Sequence, residues 1–127
     1  MRLKMTRIIT ENVEALAKFY KELTGIDATV LSPDYVEFRS PSSVLAINSK
    51  RSMDIYGAGA AKPASNQTVI LEFQVDDVDK ERKRLGSLIK EFELEPITQP
   101  WGNRSMLFRD PDGNLINFFA PVKKAAA

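Results

Sequence analysis

The spacing of apolar positions changes period several times along the chain, and each change marks an element. "LKMTRIIT" (3–10) alternates around β-branched residues and predicts a strand. Val13, Leu16, Phe19, Tyr20 and Leu23 then recur at three- and four-residue intervals, which predicts a helix closed by Gly25. "DATVL" (27–31), "YVEFRS" (35–40) and "SVLAINS" (43–49) read as three short strands separated by Ser-Pro turns. Residues 51–67, "RSMDIYGAGAAKPASNQ", have no period and are rich in Gly, Ala and Pro, so they predict a connecting loop. That loop separates a first module (about 1–50) from a second (about 68–122).

The second module repeats the order. "TVILEFQV" (68–75) alternates strictly, with Leu71, Phe73 and Val75 on one face and Ile70, Glu72 and Gln74 on the other. "DDVDKERKRLGSLIKEF" (76–92) predicts an amphipathic helix opened by Asp76 or Asp77, with Val78, Leu85 and Leu88 or Ile89 as its apolar stripe. "ELEPITQ" (93–99), "SMLFRD" (105–110) and "NLINFFAP" (114–121) supply three strands, and residues 123–127 read as a frayed tail. Between the last two strands, Asp110, Pro111 and Gly113 suit positions i, i+1 and i+3 of a type I turn. The halves also match in residues: "FRSPSSVL" (38–45) lies over "FRDPDGNL" (108–115), and "TENV" (10–13) over "VDDV" (75–78). Two matches in the same βαβββ order indicate an internal duplication. The expected fold class is α+β, built from two tandem βαβββ modules with mixed sheets.

Composition narrows the chemistry. At 127 residues and 43% hydrophobic content the chain can bury an ordinary core. Eighteen basic against seventeen acidic residues predict no nucleic-acid surface, which would need a basic excess on one face. With no cysteine and no histidine, disulfides, thiolate and Ser-His-Asp catalysis and sulfur- or imidazole-bound metals are excluded. The sequence contains no membrane-span pattern and no apolar signal run, so a cytoplasmic protein with no membrane partner is expected.

The stretch from "TRIITENVEALAKFYKELTG" to "DPDGNLINFF" resembles the vicinal oxygen chelate superfamily, which includes glyoxalase I, extradiol dioxygenases and the bleomycin-resistance proteins. The resemblance implies one glyoxalase/bleomycin-resistance-like domain whose curled sheets surround a shared cavity, commonly in a homodimer. It also implies four metal-ligand positions, normally His, Gln or Glu, which fall here on Met5, Ile47, Ile70 and Asn117. None of these is a histidine or a carboxylate, so no metal and no other cofactor is expected.

Within that resemblance several polar and aromatic residues become candidates for ligand binding. Glu72 and Gln74 read either as a solvated face or as a polar cavity wall, and the cavity reading is preferred; Arg7 follows the same argument. Tyr35 and Glu37 share a face, opposite Val36 and Phe38. Asn117 sits among large apolar residues, and Phe119 on its face offers a ring for a planar ligand. Trp101 in "QPWGN" is either a loop aromatic covering a core edge or a groove residue, and Arg104 either binds an anion or is solvated. Tyr56 fits a lid or a dimer contact.

The preferred expectation is a metal-free protein that sequesters a planar or amphipathic small molecule. The alternative is a glyoxalase-type lyase, isomerase or dioxygenase with an atypical or weak metal site. A metal-free enzyme would use Glu72, or else Glu37, as general base, since an apolar cavity can raise a carboxyl pKa toward neutrality.

Overall fold

The computed structural model describes residues 1–122, apart from the side chain of Tyr56; the expectations for Tyr56 and for the tail at 123–127 fall outside it. The chain divides into two compact units, Met1–Asn66 and Gln67–Ala127. Each contains one four-stranded mixed sheet with a helix against one face, and each follows the βαβββ order.

In the first unit the elements are β1 (Met5–Thr10), α1 (Val13–Thr24), β2 (Thr29–Ser32), β3 (Tyr35–Arg39) and β4 (Val44–Ser49). Spatial order is β1-β4-β3-β2, with β1 and β4 parallel and the other pairs antiparallel. Asn12 caps α1 by accepting from the Ala15 N–H, and Gly25 ends it at φ +72°, donating its N–H to the Lys21 carbonyl. The helix buries Val13, Leu16, Phe19, Tyr20 and Leu23, the stripe that the periodicity predicts. Tyr20 packs on Phe38 with ring centroids 6.3 Å apart, which identifies the helix-covered face of the sheet.

The segment expected to be wholly loop contains a helix, α2 (Lys50–Gly57). Ser49 caps it by accepting from the Ser52 N–H, and Lys50 pairs with Asp54 one turn on. Arg51 and Ser49 both bind the Asp34 carboxylate, which ties the β2–β3 turn to the start of α2. This two-turn helix escapes a periodicity reading because it is too short to show a repeating stripe.

The second unit runs β5 (Ile70–Gln74), α3 (Val78–Arg84), a 3₁₀ turn (Leu85–Ser87), β6 (Phe92–Thr98), β7 (Asn103–Arg109) and β8 (Leu115–Pro121), in the order β5-β8-β7-β6. Asp77 is the residue that caps α3, accepting from the Lys80 N–H. The helix is shorter than the predicted 76–92. It tightens at Leu85, where the Leu88 and Ile89 N–H groups both reach the Leu85 carbonyl, and Phe92 already belongs to a strand. Gly86 within that tightened turn is a poor helix former, which accounts for the early stop. Among the described residues no helix is long and apolar enough to cross a membrane.

Candidate functional site

Strand alternation gives each sheet a helix-covered face and a distal face, and register decides which residues of neighbouring strands share them. In the second unit Leu71, Phe73, Ile116 and Phe118 share the helix-covered face. The pairings Ile70↔Leu115, Glu72↔Asn117 and Gln74↔Phe119 lie on the distal face, and β7 adds Leu107 opposite Asn117 and Ser105 opposite Phe119. The polar centre of this face is one contact: Asn117 Nδ2 donates to Glu72 Oε2 at 2.7 Å. Asn117 Oδ1 is buried and has no hydrogen-bond partner. An unpaired buried acceptor costs free energy, so its presence here requires an explanation.

The β7–β8 hairpin holds this geometry. Asp110 Oδ1 accepts from the N–H groups of Asp112 and Asn114, Oδ2 accepts from Asn114 Nδ2, and the Gly113 N–H reaches the Asp110 carbonyl at 3.0 Å. Gly113 sits at φ +85°, a conformation glycine takes without strain. The turn therefore has the i to i+3 bond that its residues predict.

On the first unit's distal face three rows cross β1, β4 and β3: Met5, Val44 and Arg39; Arg7, Ala46 and Glu37; Ile9, Asn48 and Tyr35. Glu37, 7% exposed, is held by its neighbours. Its Oε2 accepts from the Tyr35 hydroxyl at 2.6 Å, while Oε1 accepts from Arg39 Nε at 2.8 Å and Nη2 at 2.7 Å. The Tyr35 hydrogen bond and then Arg39 hold the Glu37 carboxyl below its ordinary range; the same bond pushes the Tyr35 phenol up. The shift runs opposite to the one a neutral-pH general base needs.

A pH dependence follows from the depressed Glu37 value. Its ionised form stabilises the fold above its ordinary value of 4.5, and that contribution disappears as pH falls through the lower folded-state value. In Glu37→Gln, urea midpoints measured from pH 7 to pH 3 should start below wild type and converge on it in acid. A constant gap across that range would contradict the assignment.

The remaining candidates fall in different places. Arg104 occupies the helix-covered face of β7, where Nε and Nη2 grip Asp79 of α3 at 2.6 and 2.8 Å and Nη1 reaches Thr98. Of the two readings, an anion contact or a solvated side chain, the guanidinium makes an anion contact within the protein, to the Asp79 carboxylate. Trp101 stands 74% exposed at the tip of the β6–β7 hairpin, in a turn closed by the Gly102 N–H on the Gln99 carbonyl. Two distal-face residues were missed: Arg39, findable because it lies two residues beyond Glu37, and Asn48, an amide inside an apolar strand like Asn117.

Strand register fixes where the four expected metal positions fall. Met5 and Ile70 lie on distal faces, as does Asn117, but Ile47 is fully buried on the helix-covered face beside Val36. The matching position is Ala46. The first hairpin has one residue fewer between its paired strand ends, Arg39↔Val44 against Arg109↔Leu115, so a constant sequence offset slips by one in β4. Met5, Ala46, Ile70 and Asn117 offer one thioether and one amide oxygen, which does not fit a divalent metal. Among the described residues no group of three or more His, Cys, Asp or Glu side chains is placed to hold one.

Comparison with known proteins places this geometry in context. The sequence profile of the Glyoxalase/Bleomycin resistance protein/Dioxygenase superfamily matches residues 2–118. The uncharacterized protein YraH of Bacillus subtilis (strain 168) is 27% identical over 125 residues, covering 94% of this chain and 98% of its own. A glyoxalase/bleomycin resistance protein/dioxygenase from Nocardioides superposes with a TM-score of 0.81 at 22% identity, covering 98% of this chain and 86% of that one. A family enzyme from Burkholderia phytofirmans PsJN gives a TM-score of 0.85 at 18% identity, over 96% and 100% of the two chains. At these identities the two structures establish the fold alone.

Proposed function

Since the chain belongs to the Glyoxalase/Bleomycin resistance protein/Dioxygenase superfamily, we propose that it binds a small, partly apolar molecule without a metal, on the distal face of the second sheet. The observation that carries this reading is the buried, partnerless Oδ1 of Asn117 beside the Glu72 carboxylate. Two acceptors side by side suit a ligand group that donates, such as a hydroxyl, amide or amine. Leu107, Leu115 and Phe119 on the same face provide an apolar surface for a planar body. Gln74, paired in register with Phe119, is a further polar contact. Trp101, exposed at the tip of the β6–β7 hairpin, is not among these contacts. Binding is sequestration, with no bond made or broken, in a homodimer whose partner covers the exposed Ile70 and Ile97.

The experiment combines metal analysis with a thermal-shift panel of planar compounds bearing hydrogen-bond donors. A ligand of the native state must raise the melting temperature. The protein should purify without stoichiometric metal, and added Ni, Zn, Fe or Mn should confer no glyoxalase or dioxygenase turnover. Turnover restored by a metal would remove the sequestration reading.

Asn117→Leu sharpens the test. It removes a buried acceptor that has no donor together with the donor of the 2.7 Å bond to Glu72, and the two losses oppose one another, so the ligand-free protein should change in stability by less than about 1 kcal/mol. The same variant should lose its response to whichever compound stabilises wild type. A variant that is less stable yet still responds would show that Asn117 serves packing and not recognition.

A further inference from the structure

We infer that the Asp112–Gly113 peptide link is a site of spontaneous covalent modification: it converts to an isoaspartyl link through a cyclic imide, at a rate set by the bonds that Asp110 makes across the turn. The inference concerns the β7–β8 turn and holds whether or not the second sheet binds a ligand.

The sequence holds one Asp-Gly pair and no Asn-Gly pair. In such a pair the glycine nitrogen can attack the aspartate Cγ and close a five-membered ring. Glycine suits this attack because it has no Cβ to shield its nitrogen. A Cβ built on Gly113 would meet no atom within 4 Å, so the surrounding fold adds no crowding either. Asp110 in the same turn precedes Pro111, whose nitrogen has no proton to release, and this route is closed to it. A second observation singles out Asp112: its Oδ2 is buried and lacks a hydrogen-bond partner. An unmet buried acceptor costs free energy, and ring closure expels one carboxyl oxygen.

The atoms balance with water as the sole co-reactant. Gly113 N bonds to Asp112 Cγ, and the protonated carboxyl group loses its hydroxyl, which leaves as water with the amide proton. Water then adds to one carbonyl of the imide. Breaking the Cγ–N bond restores aspartate. Breaking the bond between nitrogen and the Asp112 main-chain carbonyl carbon leaves Gly113 joined through Cγ, with one methylene more in the main chain.

The folded turn opposes ring closure. The Gly113 N–H donates to the Asp110 carbonyl at 3.0 Å, and Arg109 Nη1 holds the Gly113 carbonyl at 2.9 Å. Asp110 Oδ1 fixes the N–H groups of Asp112 and Asn114 on either side. Closing the ring needs rotation about the Asp112 Cα–C bond, which carries the Gly113 N–H off the Asp110 carbonyl. The reaction therefore proceeds from the opened turn, and its rate follows the opening equilibrium. The longer link no longer fits the set of bonds to Asp110, and it adjoins the Arg109↔Leu115 pair where β8 begins.

The test is incubation of the full chain at neutral pH in water enriched in heavy oxygen, then trypsin digestion in ordinary water, which releases residues 110–123 as one peptide. Passage through the imide leaves a heavy oxygen on Asp112, and chromatography separates the isoaspartyl peptide from the aspartyl one. Label should accumulate at Asp112 in the folded protein, more slowly than in guanidinium chloride. Asp110→Ala should raise the folded rate roughly tenfold and leave the unfolded rate unchanged, which separates the latch from the chemistry. Asp110→Asn should fall between the two. Asp112→Glu, which would need a larger ring, should take up no label at that position. The inference is overturned if the folded protein takes up no label at Asp112, if Asp112→Glu labels equally, or if Asp110→Ala leaves the folded rate unchanged.

Discussion

Replacing Phe108 by alanine is expected to cost the second unit about 3–5 kcal/mol, the range for deleting a buried aromatic ring. Phe108 is fully buried in β7, and its ring meets Phe92 at 5.8 Å and Phe118 at 5.2 Å, both edge-on. Its register partners are Phe92 on β6 and Ile116 on β8, so the cavity would open where three strands meet. Ile116 immediately precedes Asn117, and a loosened β8 would release the Asn117–Glu72 contact along with the core. Urea denaturation reads the cost as a lower midpoint with an unchanged slope. Phe108→Leu, closer in volume, should lose less than about 2 kcal/mol. A loss below roughly 1 kcal/mol in the alanine variant would mean that the aromatic cluster is not the core of this unit.

The second large effect is expected at Asp110, which is 5% exposed. Asp110→Ala leaves the Asp112 and Asn114 N–H groups and the Asn114 amide without the carboxylate that receives them. Hydrogen bonds to an ionised group contribute more than neutral ones, and a cost of about 2–3 kcal/mol follows. Asp110→Asn retains an oxygen for the two backbone donors and should cost about half as much. Amide hydrogen exchange at Asn114 supplies a local readout, because protection there depends on the Asp110 bond. If Asn114 stays equally protected in Asp110→Ala, the backbone alone shapes the turn.

Both predictions concern a hairpin whose outline is legible in the residues. Asp110, Pro111 and Gly113 each have a local reason for their place, and the reason survives folding because it acts over a few bonds. The same holds for Gly25 and for the stripe of α1. Legibility fails where the deciding interaction is distant. Arg104 reads as either an anion-binding or a solvated cation, and only the fold shows that Asp79 in another element takes its guanidinium. Ile47 matches Asn117 by repeat alignment, yet a one-residue difference between hairpins turns it into the core and puts Ala46 in its place. Asn48 looks like the end of a strand, and only the tertiary contacts reveal it as the buried anchor of Arg7.

By itself the sequence determined the duplicated βαβββ order, the stripe of α1 and its stop at Gly25, the turn chemistry at Asp110–Gly113, and the absence of any histidine or cysteine. Those properties depend on residue type and on periods of two or 3.6, both local. The tertiary structure decided which face of β4 each residue occupies, which arginines are already paired, and that the Asn117 amide has an acceptor with nothing to accept from. These depend on strand register and on partners tens of residues away, where one residue more in a loop reverses every face that follows.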